Sequence, residues 1–274
     1  MTTPVKLTAF AAVLAVVFGA AALAGGAVGQ IHDPAAATAE DDMKMALDPM
    51  RGLAVSEDGL TLDLARRTAG PNKQFRLAFR ILGKDGRVVR DFDVEHTKRM
   101  HLIVVRRDLT GFQHLHPTLR ADGTWTTALT LPQPGIYRVF ADFSVNNQPT
   151  TIADDLQVDG NVRSRELPAP AKSAATDGFR VRLTDGTVHA DEESGLTFDV
   201  TGDGKPVSLQ DYLGAKGHLV ALRQGDLAFL HVHPDENSLR FEATFPNPGN
   251  YRLFLQFKVA GQVHTAAFTL EVSR

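Results

Sequence analysis

The sequence contains no cysteine among its 274 residues. That absence excludes a disulfide framework, a lipid anchor on an N-terminal cysteine, and a blue-copper electron-transfer centre built from two histidines and a thiolate. Stability must come from core packing. A Lys/Arg-rich run is also missing, and the formal net charge is only −3, so there is no electrostatic footprint for nucleic acid. No long segment carries a 3.6-residue apolar period, which argues against a helical architecture. What remains is globular in composition, with 43% hydrophobic and 22% charged residues, and the length suits two ordinary domains.

The start of the chain reads as an export segment. Residues Leu7 to Gly29 carry no charged side chain and, Thr8 apart, no strongly polar one. A run of about 23 residues can span a bilayer. Residues 1–29 are therefore either an uncleaved transmembrane anchor or a signal peptide cut after Ala22-Leu23-Ala24. Lys6 before the run and Asp33, Glu40, Asp41 and Asp42 after it place the remainder outside the cytoplasm, membrane-anchored or secreted. Residues 30–51 form an Ala-rich, acidic tether carrying His32, Met43, Met45 and Met50, which is either a loose copper-capturing stretch or a spacer.

The rest of the chain is written twice. His101, His114, His116 and Pro117 recur as His218, His231, His233 and Pro234 at an offset of 117 residues, and Pro132, Pro134, Gly135, Tyr137, Phe140 and Phe143 recur as Pro246, Pro248, Gly249, Tyr251, Phe254 and Phe257 at an offset of 114. Between these landmarks run short alternating segments such as GLTLDL, FRLAFRIL and TWTTALTL, bounded by Gly, Pro, Asn and Asp-Gly turns. That pattern predicts an all-β protein: two tandem immunoglobulin-like or cupredoxin-like sandwiches of about seven strands, over 52–158 and 178–274, joined by a Pro-containing linker over 159–177. The Pro-x-Pro-Gly-x-Tyr segment is expected to form a corner that closes one end of each core.

The recurring histidines are the candidate functional residues. On a strand, positions i and i+2 share a face, so His114 and His116 project together while Leu115 points away, and the same holds for His231 and His233. His101 and His218 each open a strand, HLIVV and HLVAL, that can pair with the His-x-His strand and add a third imidazole. Three imidazoles suit Zn²⁺ or Cu²⁺ with an open position. The alternative is that these histidines are framework residues copied with the fold. His96 and Met100 crowd His101 in copy one, where a thioether would favour copper; the competing reading of Met100 is an ordinary core residue.

The assembled pattern HLIVV…FxHLHP…PxPGxYRxFADF resembles exported bacterial β-sandwich proteins of the heavy-metal-binding or copper-handling type, and more loosely the copper-resistance C-type carriers. The resemblance covers Met100 to Phe143 and Gly217 to Phe257, and it implies extracytoplasmic metal binding. The expected function is thus a copper- or zinc-binding or buffering protein, not an enzyme, with a three-histidine site in each copy and a metal ion as partner. One alternative is a cell-envelope structural or interaction module that meets a membrane or envelope protein. The other is a His₃ zinc enzyme, although no hydrolase signature accompanies the histidines.

Overall fold

A computed structural model describes residues 50–184, 188–230 and 232–274, and at His233 the backbone alone. The expected anchor or signal segment, most of the tether with His32, Met43 and Met45, and His231 lie outside the described residues. Among the described residues there is no helix, and the chain is a tandem of β-sandwiches.

Copy one holds β1 (Ser56–Glu57), β2 (Leu60–Leu64), β3 (Thr68–Ala69), β4 (Phe75–Leu82), β5 (His101–Arg106), β6 (Gln113–Leu115), β7 (Thr118–Leu119), β8 (Trp125–Leu129), β9 (Gly135–Val145) and β10 (Gln148–Val158). Copy two holds β11 (Ser173–Thr176), β12 (Phe179–Leu183), β13 (Val188–His189), β14 (Glu193–Gly202), β15 (Lys205–Pro206), β16 (Gly217–Arg223), β17 (Phe229–Leu230), β18 (His233–Pro234), β19 (Arg240–Thr244), β20 (Gly249–Val259) and β21 (Gln262–Ser273). The sheet orders correspond: β1-β2-β4-β8-β7 facing β3-β10-β9-β5-β6, and β11-β12-β14-β19-β18 facing β13-β21-β20-β16-β17. In both copies a two-residue strand pairs in parallel with the last one, β3 with β10 and β13 with β21. This is the immunoglobulin-like division into two antiparallel sheets with a switched first strand.

Residues 173–176 belong to the second sandwich, not to the linker in which their composition places them: Ser173 to Thr176 pair with Arg182 to Phe179. As an edge strand of Ser, Ala and Thr with alternating exposed and half-buried positions, β11 has no apolar run to announce it.

Each sandwich has its own core. Leu62, Leu77, Phe79, Leu102, Val104 and Trp125 fill the first, and Val181, Leu196, Leu219, Phe241, Phe245 and Phe268 the second. A third cluster lies between the two, made of Ile103, Val105, Leu109, Phe140 and Ala153 from copy one with Val220, Leu222, Leu227, Phe229 and Phe254 from copy two. It arises because β5 and β16 are buried on both faces. Leu102 and Val104 point into their own core, while Ile103 and Val105 point out at the other sandwich. A strand covered on both sides reads as a continuous apolar run, which is how HLIVV and HLVAL look.

The interface is self-complementary. Phe112 stacks on Phe254 with ring centroids 4.1 Å apart, and Phe140 meets Phe229 at 5.7 Å. Phe112 and Phe229 are repeat equivalents, as are Phe140 and Phe254, so the two contacts interchange under a pseudo-two-fold rotation.

The Pro-x-Pro-Gly-x-Tyr segments form the expected corners. Tyr137 Oη donates to the Gln133 carbonyl at 3.0 Å and Tyr251 Oη to the Asn247 carbonyl at 2.9 Å. Both tyrosines are fully buried, so deleting either hydroxyl strands a carbonyl. Tyr137→Phe and Tyr251→Phe are each expected to lower stability by about 1–2 kcal/mol. Thermal unfolding should show a midpoint lower by several degrees; an unchanged midpoint would mean that the corner does not hold the core end.

Candidate metal centre

The register of β5 and β6 builds the first part of the site. Ile103 pairs with His114 and Leu102 with Leu115, which brings His101 beside the His-x-His pair as the sequence predicts. Leu115 turns into the first core, leaving His114 and His116 on the face that meets copy two. The ligand atoms of His101, His114 and His116 all lie within 4.8 Å of one another.

The second copy then enters the same site. The His218 ring stacks on His101, its repeat equivalent, with centroids 5.5 Å apart and an interplanar angle of 7°, and lies 4.8 Å from His114. The pseudo-two-fold axis therefore passes close to the His101–His218 pair. Sequence reasoning assigned His218 to a site in copy two with His231 and His233; the interface sets its ring against His101 and His114. His231 and the His233 side chain lie outside the described residues. His96 sits at the rim, 6.2 Å from His101 and 5.9 Å from His218. Met100 is no part of the cluster: it is 1% exposed and packs in the first core, because it immediately precedes His101 and faces the opposite way. The structure therefore has the core-residue reading of Met100 and not the thioether-ligand one.

Two carbonyls orient the imidazoles. His96 and Thr97 have positive φ values of 46° and 68° inside a turn closed by reciprocal backbone bonds between Glu95 and Lys98, the geometry of a tight type I′ turn. The turn presents the Glu95 carbonyl to His101 Nε2 at 3.2 Å. At the other end, Gln256 Oε1 from β20 lies 2.6 Å from His114 Nδ1, and its amide nitrogen donates to Thr265 at 3.3 Å. Neither Gln256 nor the Glu95 carbonyl was singled out by the sequence. The only signal was indirect, in that two-face burial of HLVAL implies that residues of the neighbouring β20 also face the other sandwich.

Between these two carbonyls, His101 Nδ1 and His114 Nε2 face each other at 3.0 Å. A neutral imidazole has one N–H. If His114 donates to Gln256 and His101 donates to Glu95, the two nitrogens in the middle are both lone pairs. With those tautomers the row has three contacts and two protons and is one cation short; with the Gln256 amide turned about, its NH2 donates to His114 Nδ1 and the row closes without a cation. A proton is a poor remedy, since burial lowers the pKa of His101, and burial together with the neighbouring imidazoles holds His114 at about 3 and His116 at about 4. His218 is driven well below the ordinary value by burial first and then by the adjacent imidazoles. His116 Nε2 adds a further buried nitrogen without any hydrogen-bond partner.

This donor set fits a metal ion. Two nitrogens bound tetrahedrally at about 2.0–2.1 Å sit roughly 3.3 Å apart, close to the His101–His114 separation. Ligating histidines characteristically donate their second N–H to a carbonyl or carboxylate, as Glu95 and Gln256 accept here. His101 Nδ1, His114 Nε2 and His116 Nε2 are the three atoms that could hold an ion. His116 also lines an open pocket of about 710 Å³ with Gln74, Arg76, Thr118 and Arg120. Asp108 and Asp226 take no part, being ion-paired with Arg106 and Arg223.

The depressed histidine pKa values make the metal-free fold acid-sensitive. The unfolded chain takes up protons near pH 6.5 while the folded site refuses them, so stability is complete above about 6.5 and falls as the pH drops towards the folded values. Each imidazole kept neutral costs about 1.4 kcal/mol per pH unit below 6.5. The unfolding midpoint of metal-free protein is expected to drop markedly between pH 7 and pH 5, and less so for His114→Gln; equal pH dependence in the two proteins would overturn this assignment.

Solved structures similar to the chain include the Escherichia coli adhesin FdeC, at 16% identity over 81% of this chain and 66% of that one, with a TM-score of 0.29. Trypsin-activated alpha-2-macroglobulin from Escherichia coli matches at 13% identity over 83% of this chain and 17% of that one, with a TM-score of 0.29. InvD of Yersinia pseudotuberculosis matches at 14% identity over 79% and 58%, with a TM-score of 0.26. This chain spans less than two thirds of the length of each of the three. No curated protein matches it. Residues 54–160 and 174–274 match the family described as Domain of unknown function (DUF8832), and the chain belongs to that family.

Proposed function

We propose that this protein binds a transition-metal ion, Cu or Zn, outside the cytoplasm, as a carrier or buffer and not as an enzyme. The observation that carries the reading is the convergence of His101, His114 and His116, whose ligand atoms all lie within 4.8 Å of one another, with the buried His116 Nε2 left unpartnered. Imidazoles alone suit Zn²⁺ and Cu²⁺, and with Met100 buried in the core no soft sulfur biases the described site towards Cu(I). The apolar segment over residues 1–29 supports an exported or anchored protein.

A second reading treats the histidines as framework in a cell-envelope structural or interaction module. The flat His101–His218 stack favours it, since paired rings also contribute packing across the interface.

The readings separate on metal content. Purified protein is expected to carry or take up at least one Zn²⁺ or Cu²⁺ per chain, and His114→Ala with His116→Ala should weaken competitive affinity by about 100-fold or more, given that outer-shell partners alone are worth roughly 10–100-fold. Absence of uptake by the unsubstituted protein, with the sandwiches intact by circular dichroism, would overturn the metal reading and leave the interaction module.

A further inference from the structure

We infer that the ion acts as a clasp between the two sandwiches: occupancy of the imidazole site and docking of copy two are coupled, so that loading locks the pair and separation releases the ion. The inference rests on the metal reading above. His101, His114 and His116 all come from copy one, yet the site is incomplete without copy two. Gln256 sets which nitrogen of His114 carries the proton and so aims its Nε2 lone pair into the cluster. His218, also from copy two, lies within ring contact of both His101 and His114. Undocking removes both groups together and leaves His114 free to turn.

Docking is separable from folding. Each copy has a core of its own, and the surface between them is a distinct, smaller cluster. One covalent crossing joins the copies, residues 159–172, and it is pinned to both sides. Arg106 donates to the Arg163 carbonyl, the Arg165 N–H donates to Asp108, Leu167 packs against the interface cluster, and the Ala171 N–H donates to the Thr269 carbonyl. The crossing itself carries Arg163, Arg165 and Lys172 on the surface. Because those contacts hold the crossing to both copies, the rate at which a protease cuts it reports whether the sandwiches are together. Because coupling between two equilibria is reciprocal, whatever loosens the interface must weaken metal binding, and metal must tighten the interface by the same factor.

The test uses the full chain with Zn²⁺ as the probe. Phe140→Ala combined with Phe229→Ala loosens the interface at a contact that includes no imidazole, and it is expected to weaken Zn²⁺ affinity by about 5- to 100-fold, the usual range of such couplings. Zn²⁺ should slow tryptic cutting within residues 159–172 in the unsubstituted protein and not in His116→Ala. Gln256 is a positioning residue in this scheme, so Gln256→Leu should lose about tenfold in affinity and Gln256→Glu should restore it, because a carboxylate also accepts from His114; a purely structural role would not show that rescue. Fluorescence of Trp125, the sole tryptophan and part of the first core, checks that copy one is intact in every variant. Unchanged Zn²⁺ affinity in the loosened variant, or cutting indifferent to Zn²⁺ while Zn²⁺ is bound, would overturn the clasp and leave the metal site standing. No Zn²⁺ binding by the unsubstituted chain would instead remove both.

Discussion

The structure depends on one constraint: β5 and β16 are buried on both faces. A strand whose two faces are apolar cannot be satisfied by a single sandwich, so Ile103 and Val105 on one side and Val220 and Leu222 on the other must find each other. Covering them stabilises the pair by removing apolar surface from water. It also fixes where the histidines go. His101 and His218 share the outward face of their strands with those residues, so they are carried into the interface whatever their own chemistry prefers. The burial of His101 and half-burial of His114, His116 and His218 are thus a consequence of the apolar strands beside them.

That placement creates the electrostatic problem the site presents. Away from water, each ring must keep to one protonation state and find partners for both nitrogens. When the Glu95 carbonyl and the Gln256 amide oxygen accept at the two ends of the row, they use up its two N–H groups and leave lone pairs at the middle contact. A protonated imidazole would close the gap but would introduce an unpaired charge among other imidazoles in a poorly solvated place. A metal ion closes it differently, since it accepts several lone pairs at once and its charge is spread over all its ligands.

Much of this was legible in the sequence and some was not. Alternating runs and Gly/Pro turns predicted the tandem sandwiches, the offset of 117 paired the histidines, and period two put His114 and His116 on one face with Leu115 on the other. The edge strand at Ser173–Thr176 was illegible because Ser-Ala-Ala-Thr has no apolar signal. The meeting of His218 with His101 and His114 was not drawn from the repeat arithmetic, which treats the copies one by one, whereas the two-face burial of HLIVV and HLVAL requires them to meet. The signal was present in those runs, since a half-exposed strand would alternate with polar residues. Of the two readings of Met100, ligand or core residue, the structure has the core one, since adjacency on a strand sends neighbours to opposite faces.

The two halves have kept a common frame and diverged at its centre. Gln256 and Asp142 occupy equivalent positions, and each bonds to an equivalent threonine, Thr265 and Thr151. An amide at 256 is a neutral acceptor that orients His114 without adding charge. The carboxylate at 142 pairs across the strands with His101 and favours positive charge there. A divalent ion held by neutral imidazoles brings its full charge into a half-buried interface, which is expensive unless an anion stands near. With a carboxylate on one side and an amide on the other, the site has one negative charge close to the imidazoles and one neutral clamp. Two carboxylates would neutralise the ion more fully but would repel each other across the axis whenever the site lacks metal. Two amides would leave the ion's charge uncompensated. Duplication within one chain allows this mixed arrangement, which a symmetric pair of identical copies has no means to reach.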